Sequence, residues 1–344
     1  MIRKIFFGFM LFLLVIIIWQ YELVSYGISQ ARGQIHIMLN AKPVGDFLAD
    51  PDYPDSLKQK LRLVQDIRNF SFDNLGLNPS DNYTTMFDQK GEELMWVVSA
   101  CEPYRFESKV WRFPLIGTFS YKGFFDKERA YKLKEHLEAE GYDTGIGNAS
   151  GWSTLGYLKD PILSNMLFRS DGRLAELIIH ELTHGTLFVK DSLQFNENLA
   201  TFIGIKGSII FLEQKYGEDA PQLVQYKQYW HDKKLFTQHV LKTTHMLDSL
   251  YTAMDELYED EVKEILKQQT ITSMVNTLDT LGLYNFIGYQ RMLQNEDLNN
   301  SFFMGYVRYR ADLDLLEEEL AKKYQGNIKQ MLEGYKKIYP TIGN

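Results

Sequence analysis

From Leu174 onward the chain keeps apolar residues at helical spacing almost to its end, and that stretch limits it to a mostly helical architecture. Asp219 to Leu257 sustains a spacing near seven, through Leu223, Tyr226, Trp230, Val240, Leu247 and Met254. Such a run predicts long antiparallel helices in preference to a coiled-coil partner. The first half reads differently. Tyr26 to Leu39 and Asp55 to Phe70 have helical spacing, the latter with Leu57, Leu61, Val64 and Ile67 on one face, and Asn74 to Tyr83 is a loop. Met95-Trp96-Val97-Val98 and Phe113 to Tyr121 are rich in β-branched and aromatic residues and read as strands. Asp126 can cap a helix from Lys127 to Glu140 that Gly141 ends, while the glycine-punctuated segment Tyr142 to Tyr157 suits an irregular strand and turn. Asp160-Pro161 predicts the start of a further helix, with Pro161 at its first position. The expected fold is α+β and mostly helical: an N-terminal anchor helix, a small mixed or antiparallel sheet layer, then a helical layer. The expected boundaries are 1–26 for the anchor or signal segment, 27–170 for the part with the sheet, and 171–344 for the helical part.

The N-terminus sets the expected location. Met1-Ile2-Arg3-Lys4 precedes an apolar run from Ile5 to Trp19, which Gln20 and Glu22 break. Its length suits a signal-peptide core, and extension through Leu23 and Val24 to Tyr26 makes an uncleaved anchor. Arg3 and Lys4 favour a cytoplasmic N-terminus with the bulk exported, so the expected place is the cell envelope, with the membrane as a partner. A net charge of −8 argues against a nucleic-acid partner. The single cysteine, Cys101, excludes an intramolecular disulfide and a four-cysteine zinc site, and reads as a small buried hydrophobe.

The residues that carry chemistry are His180-Glu181-Leu182-Thr183-His184. Leu174, Leu177 and Ile178 precede them at helical spacing, and on a helix positions i and i+4 share one face. Two imidazoles so placed fill two corners of a tetrahedral zinc site, and Glu181 projects beside them as a general base for a metal-activated water. A catalytic zinc usually takes a third protein ligand. After a turn at Lys190-Asp191-Ser192, Phe195-Asn196-Glu197 opens a second apolar helix through Leu212, and a short connection places Glu197 opposite the histidine pair. One zinc ion per chain is expected on His180, His184 and Glu197.

These residues, with Gly33-Gln34, Trp111, Phe113-Pro114, Gly117, Tyr121-Lys122-Gly123-Phe124-Phe125, Gly141-Tyr142-Asp143, Ser153-Thr154-Leu155-Gly156, Asp160-Pro161 and Asn299-Asn300, resemble the bacterial Putative aminopeptidase family of His-Glu-x-x-His, gluzincin-like peptidases. The resemblance runs from about residue 25 to about residue 312 and implies a zinc aminopeptidase acting on peptides. It also leads to cysteines at the positions held here by Arg112 and Thr118, and the thermolysin-like pattern leads to an aspartate at the position held by Thr201. The Gly-x-Met-Glu-Asn signature for a substrate amino terminus is absent, with Glu92 and Glu93 as conceivable substitutes.

Two further candidates are weaker. Ser153, Thr154, Leu155 and Gly156 suit either an edge strand that pairs with an extended substrate or a plain turn. Tyr309 is a candidate donor to the oxyanion of the tetrahedral intermediate, although the chain has 21 tyrosines and Tyr306 is equally near. His231, His239 and His245 lack ligand spacing and read as helix-surface residues. The rival readings are a metallohydrolase of envelope amides and an anchored binding or assembly protein with a structural or vestigial metal site.

Overall fold

The computed structural model describes residues 3–4, 7, 19–113, 117–148, 159–190, 192–254, 258–308 and 313–339. The fold is α+β with 66% helix, and among the described residues its sheets have two or three strands. Helix α1 (Tyr21–Asn40) lies against the sheet layer. The Tyr26 ring stacks on Phe113 and meets Phe124 edge-on, both at 5.5 Å, while its hydroxyl donates to the Gly123 carbonyl at 2.9 Å. Gly33 faces the Phe125 ring so closely that a Cβ would lie 2.2 Å from Cδ2, so only glycine lets the helix seat there.

After a short helix, α2 (Val44–Ala49), α3 (Asp55–Asp73) buries Leu61, Val64 and Ile67 on one side, the face its spacing predicts. One sheet has the order β1-β2-β8 (Lys42–Pro43, Thr85–Phe87, Ile162–Leu163), antiparallel then parallel. The other sets β3 (Trp96–Cys101) between β6 (Tyr121–Phe124) and β7 (Asp143–Asn148), all antiparallel. A hairpin of β4 (Trp111–Phe113) and β5 (Gly117–Phe119) puts Arg112 directly opposite Thr118. Cys101 is fully buried, as a small core residue.

Asp126 caps α4 (Lys127–Ala139) by accepting from the Arg129 N–H at 3.2 Å, and Gly141 turns the chain out of it at a φ of 89°. The helix expected at Asp160-Pro161 does not form. Tyr83 N–H donates to the Asp160 carbonyl at 2.7 Å, Asp160 N–H donates to Asn82 Oδ1 at 3.1 Å, and Ile162 pairs with Met86 as a strand. Those partners lie about eighty residues upstream, and they outweigh the local helix-start preference of proline.

The remaining helices are α5 (Asp171–His184), α6 (Leu193–Tyr216), α7 (Pro221–Ala253), α8 (Asp260–Asn276), α9 (Phe286–Asn295), α10 (Asn300–Arg308), α11 (Leu313–Tyr324) and α12 (Ile328–Ile338). The largest core joins α3, α5 and α6 with the C-terminal pair: Val64, Ile67, Ile178, Leu182, Phe202, Leu320 and Met331 are all buried in it. A second core sets Phe236, Val240 and Leu247 of α7 against Ile271 and Met274 of α8 and Phe303 of α10.

Buried polar groups fasten this second core to the sheet. Lys267, 1% exposed, meets Asp143 at 2.6 Å, and the same carboxylate accepts the Asn300 N–H at 2.8 Å. The Asn300 side chain donates to the carbonyls of Glu102 and Pro103 and accepts from the Tyr251 hydroxyl. Among the described residues no helix is long and apolar enough to cross a membrane. Of the run Ile5 to Trp19, only Phe7 and Trp19 are described.

Candidate metal centre

Helix α5 buries Leu174, Ala175, Ile178, Ile179 and Leu182 in the main core, which turns the other face, with His180 and His184, toward α6. Close approach of the two helices depends on glycine at one point. At Gly204 of α6 a Cβ would stand 3.0 Å from the Glu176 carbonyl oxygen and 3.3 Å from the His180 Cβ. The connection between the helices is held by Asn196, which is 1% exposed. Its Oδ1 accepts from the Val189 N–H and its Nδ2 donates to the Val189 carbonyl, each at 2.8 Å. Thr186, just past the end of α5, accepts from the Asn78 N–H at 3.0 Å and so ties the loop before β2 to the same corner.

This arrangement brings His180, His184 and Glu197 together, with their ligating atoms within 4.8 Å of one another. The two Nε2 atoms are 3.1 Å apart, and Glu197 lies 3.6 Å from His180 Nε2 and 3.5 Å from His184 Nε2. Atoms about 2.0–2.1 Å from a tetrahedral zinc sit roughly 3.3–3.4 Å from each other, so the three side chains fit an ion of that size and geometry. The His184 side chain is 4% exposed, that of His180 20% and that of Glu197 39%, so the cluster opens to solvent on the Glu197 side.

The electrostatics separate the two imidazoles. Burial drives His184 down to about 4, the charge of His180 adds to this, and Glu197 opposes it. Burial also pushes His180 down, but the adjacent Glu197 carboxylate and the charges of Glu181 and Glu176 outweigh it, and its pKa ends above the ordinary value. Glu197 is held below the usual carboxylate range by His180 and His184, against the opposing effect of burial. One imidazole is thus poised neutral and the other stands in an acidic field. Among the described residues the buried Nδ1 of His184 has no hydrogen-bond partner. Packing orients this ring, between His180 at 4.8 Å and Phe188 at 6.3 Å.

Glu181 lies on α5 between the two histidines, and its charge acts on His180 and on the fully buried Tyr83. Ser153, Thr154, Leu155, Gly156 and Tyr309 lie outside the described residues. Tyr306 belongs to the second core, where its ring meets Phe302 and Phe236. Glu92 and Glu93 are exposed. His231 and His245 are exposed on α7, as expected, but His239 is not a plain surface residue. It is half-buried, and its Nε2 lies 2.9 Å from the Met274 carbonyl, which ties α7 to α8. Sequence reasoning missed the clamp made by Asn196 and the acid Glu176, four residues before His180. The spacing of Glu176 is the one signal that was available, since i and i+4 share a face.

An α+β chain in which two imidazoles from one helix and a carboxylate from the next converge is a protein able to hold a metal ion. The family model described as Putative aminopeptidase matches residues 25–340, and the chain belongs to that family. No curated protein and no solved structure matches it.

Proposed function

We propose that this protein is a zinc-dependent metallopeptidase of the gluzincin kind, acting as an aminopeptidase. The observation that carries the reading is the convergence of His180, His184 and Glu197 within 4.8 Å, beside a glutamate that continues the same helix. Neutral imidazole and carboxylate are the donor set of a catalytic zinc, and His180, His184 and Glu197 would hold the ion. A zinc ion bound there supplies Lewis-acid polarisation of the scissile carbonyl and makes a water acidic. Glu181 takes the proton of the attacking water and passes it to the leaving amine. Membership of the family supports a peptide as substrate. Arg3, Lys4 and the apolar run to Trp19 support placement in the cell envelope, anchored or exported, with the site outside the cytoplasm.

The test is metal content per chain for the parent and for His184→Ala, followed by hydrolysis of peptides with free and with acetylated amino termini. Near one zinc in the parent, almost none in the variant, and cleavage only of free termini is the expected result. No bound zinc after zinc is supplied would overturn the proposal. Cleavage of acetylated peptides would replace the aminopeptidase by an endopeptidase.

A further inference from the structure

We propose that Arg173 and Lys233 form a subsite that takes a carboxylate of a short peptide substrate, about three residues past the scissile bond. This rests on the peptidase reading above and adds the class of substrate.

Helical geometry puts the subsite in line with the metal centre. Arg173, His180 and His184 are positions i, i+7 and i+11 of α5, so all three fall within about 40° of one another around the helix axis. Leu177, half-buried, lies beside this line between Arg173 and His180 and supplies an apolar floor. Seven residues of helix rise by about 10 Å, the length of roughly three residues of extended peptide. The line is open at both ends, because Arg173 is exposed and the His180 side chain is 20% exposed.

The second cation comes from α7. The Arg173 guanidinium stands over the Tyr229 ring at 5.0 Å, and Lys233 Nζ stands over the same ring at 5.9 Å and over the Trp230 ring at 4.2 Å. Two helices thus hold two positive charges against one pair of aromatic rings, which narrows the positions open to both side chains. The platform is itself fixed to α5, since Trp230 Nε1–H donates to Glu176 Oε2 at 3.1 Å. Arg169, in the turn before α5, adds positive charge to the group: burial and then the charge of Arg173 hold its pKa below the ordinary value.

The acids nearest to these cations are committed to other donors. Glu176 accepts from the Tyr226 hydroxyl and from Trp230. Asp232, 1% exposed, accepts the N–H groups of Tyr284 and Asn285 at the start of α9. Among the described residues, the contacts of Arg173 and Lys233 are with the aromatic rings and neither forms an ion pair with a carboxylate. In a chain of net charge −8, two such cations two helical turns from the histidines suit an anion from outside the chain. A guanidinium and an ammonium both bind carboxylate, and a peptide offers one at its C-terminus or on an acidic side chain.

The experiment uses three peptides: tetra-alanine, its C-terminal amide, and the amide of trialanyl-aspartate. Each is titrated calorimetrically into the metal-free parent and Arg173→Gln/Lys233→Gln, and KM and kcat are measured with both proteins loaded with zinc. We expect the parent to bind tetra-alanine about tenfold more tightly than its amide, and the variant to bind the two alike. The same contrast should appear in KM with kcat little changed. Tight binding of the trialanyl-aspartate amide would assign the subsite to an acidic side chain as well as to a free C-terminus. Equal binding of all three peptides by the parent, or a preference that survives in the variant, would overturn the proposal. A parent that prefers the carboxylates yet hydrolyses none of the peptides would overturn the peptidase reading and leave the carboxylate subsite standing.

Discussion

Asn196 grips both backbone polar groups of Val189, accepting from the N–H and donating to the carbonyl at 2.8 Å each. The next residue is Glu197, so this clamp sets where the carboxylate of the cluster enters the site. Asn196→Ala leaves two backbone groups of Val189 without their partner. We expect a stability loss on the order of 2–3 kcal/mol, together with weaker zinc binding. Urea denaturation and zinc titration check the two effects. A destabilised variant with parent-like affinity would mean that α6 places Glu197 without the clamp.

The roles of the four site residues separate in substitution. Glu181→Gln should keep zinc and lose turnover by at least about a hundredfold, because a proton acceptor is lost and no ligand is. His180→Ala, His184→Ala and Glu197→Ala should lose metal and turnover together. Metal content and peptide hydrolysis, measured on the same samples, check both. Retained turnover in Glu181→Gln would remove it from the proposed role.

The two histidines impose opposite pH dependences on the metal-free protein. His184 is depressed to about 4 in the folded state, so between about pH 6.5 and 4 the unfolded chain binds more protons there. Stability should therefore fall as pH drops through that window, by on the order of 3 kcal/mol. His180 is raised, so its stabilising contribution is complete below about pH 6.5 and is lost as pH rises through its folded value. The lowered Glu197 adds stability above its ordinary value and loses it as pH falls further. Melting temperature against pH for the metal-free parent and His184→Ala checks the sign, since the acid-side decline should be shallower in the variant. Zinc binding must displace the proton from His180, so affinity should climb with pH through and above the ordinary imidazole range.

Arg112 and Thr118 are direct cross-strand partners in the β4–β5 hairpin. Replacing both by cysteine should give a disulfide without moving the backbone, because opposed strand positions hold their Cβ atoms close. The enclosed loop is short, so the gain should be modest, about 2 kcal/mol. Thiol titration and melting with and without reductant test this. Two free thiols after mild oxidation would show the hairpin pair out of reach.

Much of the architecture was readable residue by residue. The spacing of Leu57, Leu61, Val64 and Ile67 predicts a helix from Asp55, and α3 runs Asp55–Asp73. Asp126 and Gly141 bracket α4, and the near-heptad run after Asp219 becomes the 33-residue α7. The pairing of His180 with His184 follows from one helical turn, and the short connection to α6 brings Glu197 alongside. All of these are local, because helical periodicity, caps and i, i+4 spacing involve residues a few positions apart.

The rest depended on partners far along the chain. Pro161 reads as a helix start, yet Asn82, Tyr83 and Met86 recruit its neighbours into strand pairing. His239 reads as a surface residue until α8 brings the Met274 carbonyl to it, 35 positions away. Glu176 looks like an ordinary helical acid until Tyr226 and Trp230, 50 and 54 positions later, settle on its carboxylate. The sequence by itself determined the donor types, their helical spacing and the class of fold. Tertiary structure alone decided which buried polar groups meet, because a buried donor or acceptor must be satisfied, and only chain packing chooses the partner that satisfies it.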